Sequence, residues 1–135
     1  MPGNALVDAG FLAALLDRRD NHHNWAAAQA ARYAPPWHTC EAVLTEAFYL
    51  LQPDVAPVIA LLRRRAAIVS FDLGQHLEPV LTLMQKYADV PMSLADACLV
   101  RMTETEPDPL VLTTDSDFRV YRRHSRQVVP CVLPG

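Results

Sequence analysis

Four acidic residues, spread over most of the chain, occur at positions where a fold could collect them into one cation-binding site. Asp8 follows the short apolar run of residues 5–7, and Asp115 closely follows the apolar run of residues 110–113. Asp96 is in the first turn of a predicted helix, and Glu46 is in the middle of another. In open α/β sheets, ligands bind just outside the carboxyl ends of the strands, where helix N-termini converge. Carboxylates at such positions suit one or two divalent cations.

Each of these acids also has a simpler, local explanation. Asp8 and Asp115 could each cap the helical segment that follows, and Ser93 with Asp96 matches a capping box. Two patterns favour a shared site. Asp96 lies on a helical stripe with apolar residues of its helix, and Glu46 lies mid-helix on the edge of an apolar arc. Because buried carboxylates are costly unless they are paired or bound to a metal, we expect the cluster to bind Mg²⁺ or Mn²⁺.

Short strands and helices alternate along the chain. Predicted strands cover residues 5–8, 37–39, 67–71, 110–113 and 128–132. Predicted helices cover residues 10–16, 24–34, 41–51, 54–65, 76–87 and 93–105, with Asp54 as the cap of the fourth and a helical turn at 116–121. The alternation predicts an α/β fold with a mostly parallel sheet of about five short strands and helices on both faces. We expect one domain over residues 1–135, since no linker or repeat is visible.

The composition is that of a packed globular protein. Of the 135 residues, 51% are hydrophobic and 20% are charged, which excludes a disordered chain. No apolar run approaches the roughly 20 residues needed to span a bilayer. The N-terminus lacks the basic flank and apolar core of a signal peptide, so we expect a cytoplasmic protein without a membrane segment. The three cysteines are widely spaced and are expected to be free thiols of a reducing compartment.

Positive charge is local and consists almost entirely of arginine. The net charge is −3, so no overall positive field attracts nucleic acid. Arg63, Arg64 and Arg65 form one run, and Arg119 begins a second group near the C-terminus. Because the guanidinium group suits phosphates and carboxylates alike, these four arginines are candidate RNA contacts. A solvated surface is the simpler explanation for each group.

Other sites are less favoured. A zinc site would have the candidate ligands Asp17, Asp20, His22 and His23. It is disfavoured because the two adjacent histidines would point apart on a forming helix. A haloacid-dehalogenase-like enzyme needs a second aspartate two residues after the first, where this chain has Gly10. A phospho-accepting receiver needs a lysine after a late strand, but Lys86 is inside a predicted helix. No phosphate-binding glycine motif is present.

Four segments together resemble the PIN-domain nucleases, and more narrowly the VapC-type toxins of bacterial toxin–antitoxin pairs. The segments are ALVDAGFLAALLDRRDNHH, TEAFYLL, SLADACLV and VLTTDSDF, which occur in the family's order, and the resemblance extends over essentially the whole chain. The resemblance implies a PIN-like three-layer α/β/α fold. It also implies catalytic and metal-binding roles for Asp8, Glu46, Asp96 and Asp115, with Asp117 as an accessory metal ligand.

The resemblance further implies in-line hydrolysis of RNA by a metal-activated water, with Mg²⁺ or Mn²⁺, leaving 5′-phosphate and 3′-hydroxyl ends. The implied partners are an RNA substrate and a cognate VapB-like antitoxin. One departure is Gly10, where the family often has a serine or threonine that could add a hydroxyl near the metal. Two alternatives stay open: a non-catalytic PIN-like binding partner, and a PIN nuclease with a housekeeping role in RNA processing.

A homodimer is expected from the apolar surface of two helices. The apolar arc of residues 41–51 is wide, and residues 54–65 add further apolar side chains. A sheet face in a chain of this size would leave part of that surface uncovered, and such patches usually mark contacts. A symmetric pair would place Arg63–Arg65 along a shared groove.

Overall fold

A parallel sheet forms the centre of the computed structural model, which describes residues 4–135. Within these residues the strands are β1 (Asn4–Val7), β2 (Trp37–Thr39), β3 (Ala67–Val69), β4 (Pro109–Leu112), β5 (Arg122–Arg123), β6 (Gln127–Val128) and β7 (Cys131–Val132). The central sheet has the order β3-β2-β1-β4-β7, and every neighbouring pair is parallel. β5 and β6 form a separate antiparallel hairpin.

Helices connect β1 to β2, β2 to β3 and β3 to β4. They are α1 (Ala9–Leu16), α2 (His23–Arg32), α3 (Glu41–Leu51), α4 (Ala56–Arg63), α5 (Leu77–Lys86) and α6 (Leu94–Thr105), with 3₁₀ turns at Leu73–Gln75 and Ser116–Arg119. This arrangement confirms the predicted three-layer α/β/α fold. No helix within residues 4–135 is long and apolar enough to cross a membrane.

The two middle strands, β1 and β4, are most deeply buried at the carboxyl ends of their shared register. Leu6, Val7, Val111 and Leu112 have no exposed surface, as expected for a parallel strand covered on both faces. Val7 pairs with Leu112, so the residues that follow both strands emerge at one edge of the sheet. From β1 the chain moves outward to β2 and β3, and then returns to the other side of β1 as β4. The strand order therefore reverses between β1 and β4, which is where α/β sheets bind their ligands.

Local sequence signals explain several helix boundaries. α2 ends at Arg32, shortly before the pair Pro35-Pro36. α4 has Pro57 in its first turn, where a proline loses no helical hydrogen bond. α6 begins with the capping box formed by Ser93 and Asp96.

Several predicted details were wrong. The cap of α4 is Val55, without a side-chain hydrogen bond, so Asp54 does not cap this helix. β3 ends at Val69, and the helical turn at 116 ends at Arg119. The predicted strand 128–132 is two strands in different sheets: Val128 pairs with β5, whereas β7 pairs with β4. They separate at Pro130, which has no N–H for a strand ladder.

Candidate active site

Asp8 lies at the carboxyl end of β1 and caps α1. Its Oδ1 accepts a hydrogen bond of 2.8 Å from the backbone N–H of Phe11, and its Oδ2 accepts one from the hydroxyl of Thr113. Only 7% of the residue is exposed. Burial raises the pKa of Asp8 from 3.8 to about 7, the two hydrogen bonds lower it, and the charges of Asp96 and Asp115 raise it further. Asp8 therefore does cap α1, but its hydrogen bonds do not offset the free-energy cost of burying the ionised carboxyl group.

Thr113 links the ends of β1 and β4. It is fully buried and immediately follows β4. Its hydroxyl donates to Asp8 Oδ2 and accepts a hydrogen bond of 2.9 Å from the backbone N–H of Asp115. One side chain therefore fixes the orientation of Asp8 and the start of the loop that carries Asp115. The sequence analysis missed this residue; the only local signal was a threonine at the end of an apolar strand.

Asp115 begins the 3₁₀ turn Ser116–Arg119. Its Oδ1 accepts a hydrogen bond of 2.9 Å from the backbone N–H of Asp117, so its local capping role is real. The side chain is half-buried. Its charge raises the pKa of both Asp8 and Asp96, which shows that the three carboxylates share one electrostatic environment.

Asp96 also combines a capping role with a position among other carboxylates. It is half-buried, and its Oδ2 accepts hydrogen bonds from the backbone N–H of Ser93 at 3.1 Å and from the Tyr121 hydroxyl at 3.2 Å. Burial raises the pKa of Asp96, these two hydrogen bonds lower it, and the charges of Asp115 and Glu46 raise it. The prediction that Asp96 would turn away from solvent is confirmed in part.

Tyr121 is a second residue that the sequence analysis missed. Its ring is fully buried, and its hydroxyl oxygen also lies 3.1 Å from the Pro91 carbonyl oxygen, so its single proton is shared between that oxygen and Asp96. Burial raises the pKa of Tyr121, and the charges of Asp96, Asp117 and Asp115 add to the effect. The phenol therefore stays protonated and positions Asp96. Asp117, which is half-buried, borders the same cluster.

Glu46 differs from the expectation of a partly buried acid. It is exposed on α3, because the buried face of that helix consists of Val43, Ala47 and Leu51. Leu50, which the predicted apolar arc included, is 54% exposed. The argument from the cost of burial therefore does not apply to Glu46. Its charge nevertheless raises the pKa of Asp96, which places Glu46 at the rim of the cluster.

The candidate arginines lie in two different places. Arg63, Arg64 and Arg65 are exposed and precede β3, so they lie towards the amino end of the parallel strands. The structure does not bring them to the carboxyl edge, where Asp8 and Asp115 lie. Arg119 is also exposed, and it ends the 3₁₀ turn that starts after Asp115. Of the four, Arg119 is the arginine on the acidic side of the sheet.

The loop proposed as a weak zinc alternative has local hydrogen bonds instead. Asp20 Oδ1 accepts a bond of 2.8 Å from the backbone N–H of His22, and His23 Nδ1 lies 2.9 Å from the Ala14 carbonyl oxygen. Asp17 forms an ion pair with Arg19. These contacts fit a polar loop that leads into α2.

The carboxylates of this cluster suit a divalent cation as their counter-charge better than any basic side chain of the described residues. The ion pairs of residues 4–135 are Arg19–Asp17 and Arg101–Glu104, so no lysine or arginine in the described part of the chain neutralises the cluster. Nearby carboxylates instead raise the pKa of Asp8 and of Asp96, an effect that a bound cation would reverse. In residues 4–135 no three acidic, histidine or cysteine side chains are already placed to hold a metal ion. A metal ion bound here would need these side chains to rotate.

A comparison with protein families identifies the fold's relatives. The family model described as the PIN domain matches residues 5–123, a span that contains all five candidate acids. This chain belongs to the PIN-domain family. PIN domains are generally nucleases, and they typically use divalent metals, so a nuclease-type function follows from membership. No curated protein matches the chain significantly.

Proposed function

We propose that the chain is a metal-dependent endoribonuclease of the VapC toxin type. The observation that supports the proposal best is that the charges of Asp96 and Asp115 raise the pKa of the buried Asp8, and the charge of Asp115 also raises the pKa of Asp96. These aspartates come from three separate segments of the chain, and each keeps a protein donor that orients it. Two carboxylates about 4 Å apart repel by about 4 kcal/mol at an effective dielectric constant of 20, which favours a cation between them.

The proposed metal ligands are the acids of the carboxyl edge. Asp8, Asp96 and Asp115 would hold Mg²⁺ or Mn²⁺, and Glu46 and Asp117 would contribute from the rim, directly or through water. When bound, the ion supplies an activated water and charge stabilisation at the scissile phosphate. Thr113 and Tyr121 position Asp8 and Asp96 through hydrogen bonds, in the way that outer residues of metal sites orient the ligands.

The role of Gly10 follows from its contact with Thr114. A Cβ atom on Gly10 would lie 2.2 Å from Thr114 Oγ1 and 3.6 Å from Asp8 Oδ1. The Thr114 side chain therefore occupies the space that a serine or threonine at position 10 would need. In this chain, any hydroxyl at this point beside Asp8 comes from Thr114.

RNA is the proposed substrate, and Arg119 is its proposed contact at the acidic side. Its exposed guanidinium group, at the end of the turn that follows Asp115, would bind a phosphate next to the scissile one. In a monomer, Arg63–Arg65 are at the wrong end of the sheet, so they would contact RNA only through a second subunit. With the catalytically inactive Asp96→Asn protein, Arg119→Glu should weaken RNA binding and reduce its salt dependence. Arg64→Glu should do so only if the dimer groove exists.

Two partners belong to the proposal. A small VapB-like antitoxin would insert a basic side chain among the carboxylates that the described part of the chain leaves without a cationic partner. A homodimer would cover the exposed apolar side chains of α3, where Tyr49 and Leu50 are 73% and 54% exposed. Light scattering that gives a monomer at high concentration would contradict the dimer. Unchanged cell growth on overexpression without any partner would argue against the toxin role.

The direct test is cleavage of a mixed RNA pool by the purified protein. We expect cleavage with Mg²⁺ or Mn²⁺, none in EDTA, and 5′-phosphate ends on the products. Cleavage that persists in EDTA would contradict the metal mechanism. Metal binding without cleavage would favour the non-catalytic binding partner, and cleavage that does not harm the cell would favour housekeeping RNA processing.

A further inference from the structure

Two cysteines face each other next to the helices of the acidic site. Cys40 is the N-cap of α3, and Cys98 is on α6, two residues after Asp96. Both are free and buried, and each thiol shifts the pKa of the other, which is lowered at Cys40 and raised at Cys98. They line one cavity of about 260 Å³ together with Glu41 and Thr45, whose exposed side chains place its mouth at the surface.

We propose that this pair is an oxidative modification site, at which a small two-electron oxidant such as hydrogen peroxide forms a Cys40–Cys98 disulfide. In the first step the Cys40 sulfur attacks a peroxide oxygen, the O–O bond breaks, and a sulfenic acid and one water form. In the second step the Cys98 sulfur attacks the Cys40 sulfur. The S–O bond breaks, and the hydroxyl group leaves as water with the Cys98 proton. Two thiols and one peroxide thus give one disulfide and two waters.

The surroundings indicate that Cys40 reacts first. The neighbouring Cys98 thiol and the backbone N–H groups of Val43 and Ala42 lower the pKa of Cys40 and outweigh the effect of burial, as is usual for a thiol at a helix N-terminus. The open cavity gives a molecule as small as peroxide a route to a thiol that is otherwise buried. Cys98 is then the nearest thiol to the sulfenic acid.

The third cysteine is too far away to compete within the chain. Cys131 is on β7, whereas Cys40 immediately follows β2, and two strands lie between them in the sheet. At about 4.8 Å per strand, the separation of the two strands is about 14 Å, beyond the reach of a disulfide. Cys131 is therefore a matched internal control.

Peptide mapping tests the site without any assumption about the protein's activity. Trypsin places the three cysteines in different peptides, 33–63, 87–101 and 127–135. After peroxide treatment of the full chain, we expect the first two peptides to be linked, with the loss of two hydrogen atoms, and the third to keep its thiol. Cys131→Ser should behave like the wild-type protein, and Cys40→Ser or Cys98→Ala should not form the link. A sulfinic acid on Cys40 without a link, or links through Cys131, would overturn the proposal.

The disulfide would also affect the acidic site, and this part rests on the proposed function. It would join α3, which carries Glu46, to α6, which carries Asp96. We expect peroxide to lower RNA cleavage by the wild-type protein, dithiothreitol to restore it, and Cys40→Ser to resist the treatment. If the linked protein cleaves RNA as fast as the reduced one, the effect on the site is refuted, whereas the peptide map judges the disulfide itself. If neither form cleaves RNA, the proposed function fails and the map still decides the modification site.

Discussion

Replacing Asp8 with asparagine should stabilise the metal-free protein at neutral pH. The pKa of Asp8 rises from 3.8 to about 7 on folding, mainly because of burial. Each pKa unit corresponds to 1.36 kcal/mol, so the ionised carboxylate costs the folded state about 4 kcal/mol above pH 7. Asparagine has the same shape, is neutral at every pH, and can still accept the hydrogen bond from Phe11.

The sign of the effect depends on pH. Between about pH 4 and pH 7 the folded protein keeps a proton on Asp8 that the unfolded chain releases. The free energy of unfolding of the wild-type protein therefore falls as pH rises through this window. Asp8→Asn should remove that part of the slope, so the two proteins should be similar near pH 4 and differ by up to about 4 kcal/mol above pH 7.

Urea denaturation in EDTA over this pH range measures the difference. Asp89→Asn, which changes an exposed aspartate, is the matched control and should follow the wild-type profile. At a Mg²⁺ concentration 100 times its dissociation constant, the wild-type protein should gain about 2.7 kcal/mol and Asp8→Asn clearly less. Parallel pH profiles for the wild-type protein and Asp8→Asn would refute the claim that this carboxyl group is destabilised by the fold.

Three further predictions concern Asp8 and the residues around the acidic cluster. Mn²⁺ affinity, measured by calorimetry, should rise with pH through about 7, because the cation competes with the proton on Asp8; a flat profile would contradict this. Gly10→Ala should lower the free energy of unfolding, measured by urea denaturation, by about 1–3 kcal/mol because its Cβ would clash with the Thr114 hydroxyl. Adding Thr114→Ala should recover most of that loss, and an equal loss in the double variant would exclude the clash. Tyr121→Phe should cost about 1–2 kcal/mol and raise the pKa of Asp96 further, measured by carboxyl NMR titration; an unchanged pKa would show that the hydroxyl does not position Asp96.

The order of the elements, and the positions of Asp8, Asp96 and Asp115 at the ends of those elements, were predictable because their sequence signals are local. A strand followed by an aspartate, or a capping box before an apolar stripe, is visible within a few residues. The parallel sheet then follows from the alternation of strands and helices, and parallel strands bring Asp8 and Asp115 to one edge. Local signals can therefore predict at which end of a strand or helix a residue lies.

The positions that sequence alone could not give depend on distant contacts. Thr113 meets Asp8 across 105 residues, and Tyr121 meets Asp96 across 25. The exposure of Glu46 depends on which neighbours cover α3, and a helical wheel shows only the polarity of its faces. The run Arg63–Arg65 is visible in the sequence, but whether it lies at the amino or the carboxyl end of the sheet depends on the direction of β3.

The hairpin of β5 and β6 was missed because its turn has an unusual sequence. His124 and Ser125 adopt φ values of 50° and 68°, where glycine or asparagine is the usual signal. Contacts with the helices fix this turn. Glu104 accepts from the backbone N–H of His124, and Lys86 donates to the Ser125 carbonyl.

The most direct test of the central claim is the rate of RNA cleavage by Asp96→Asn, compared with Asp89→Asn under the same Mn²⁺ concentration. Asparagine keeps the capping acceptor for Ser93 but removes the negative charge. Loss of a residue that only orients a metal ligand costs metal sites about 10–100-fold in affinity or activity, so loss of a direct ligand should reduce cleavage by about 100-fold or more. Circular dichroism should show the same fold for both variants. Asp96→Asn that is folded and cleaves RNA as fast as Asp89→Asn would contradict the assignment of this acidic cluster as the active site.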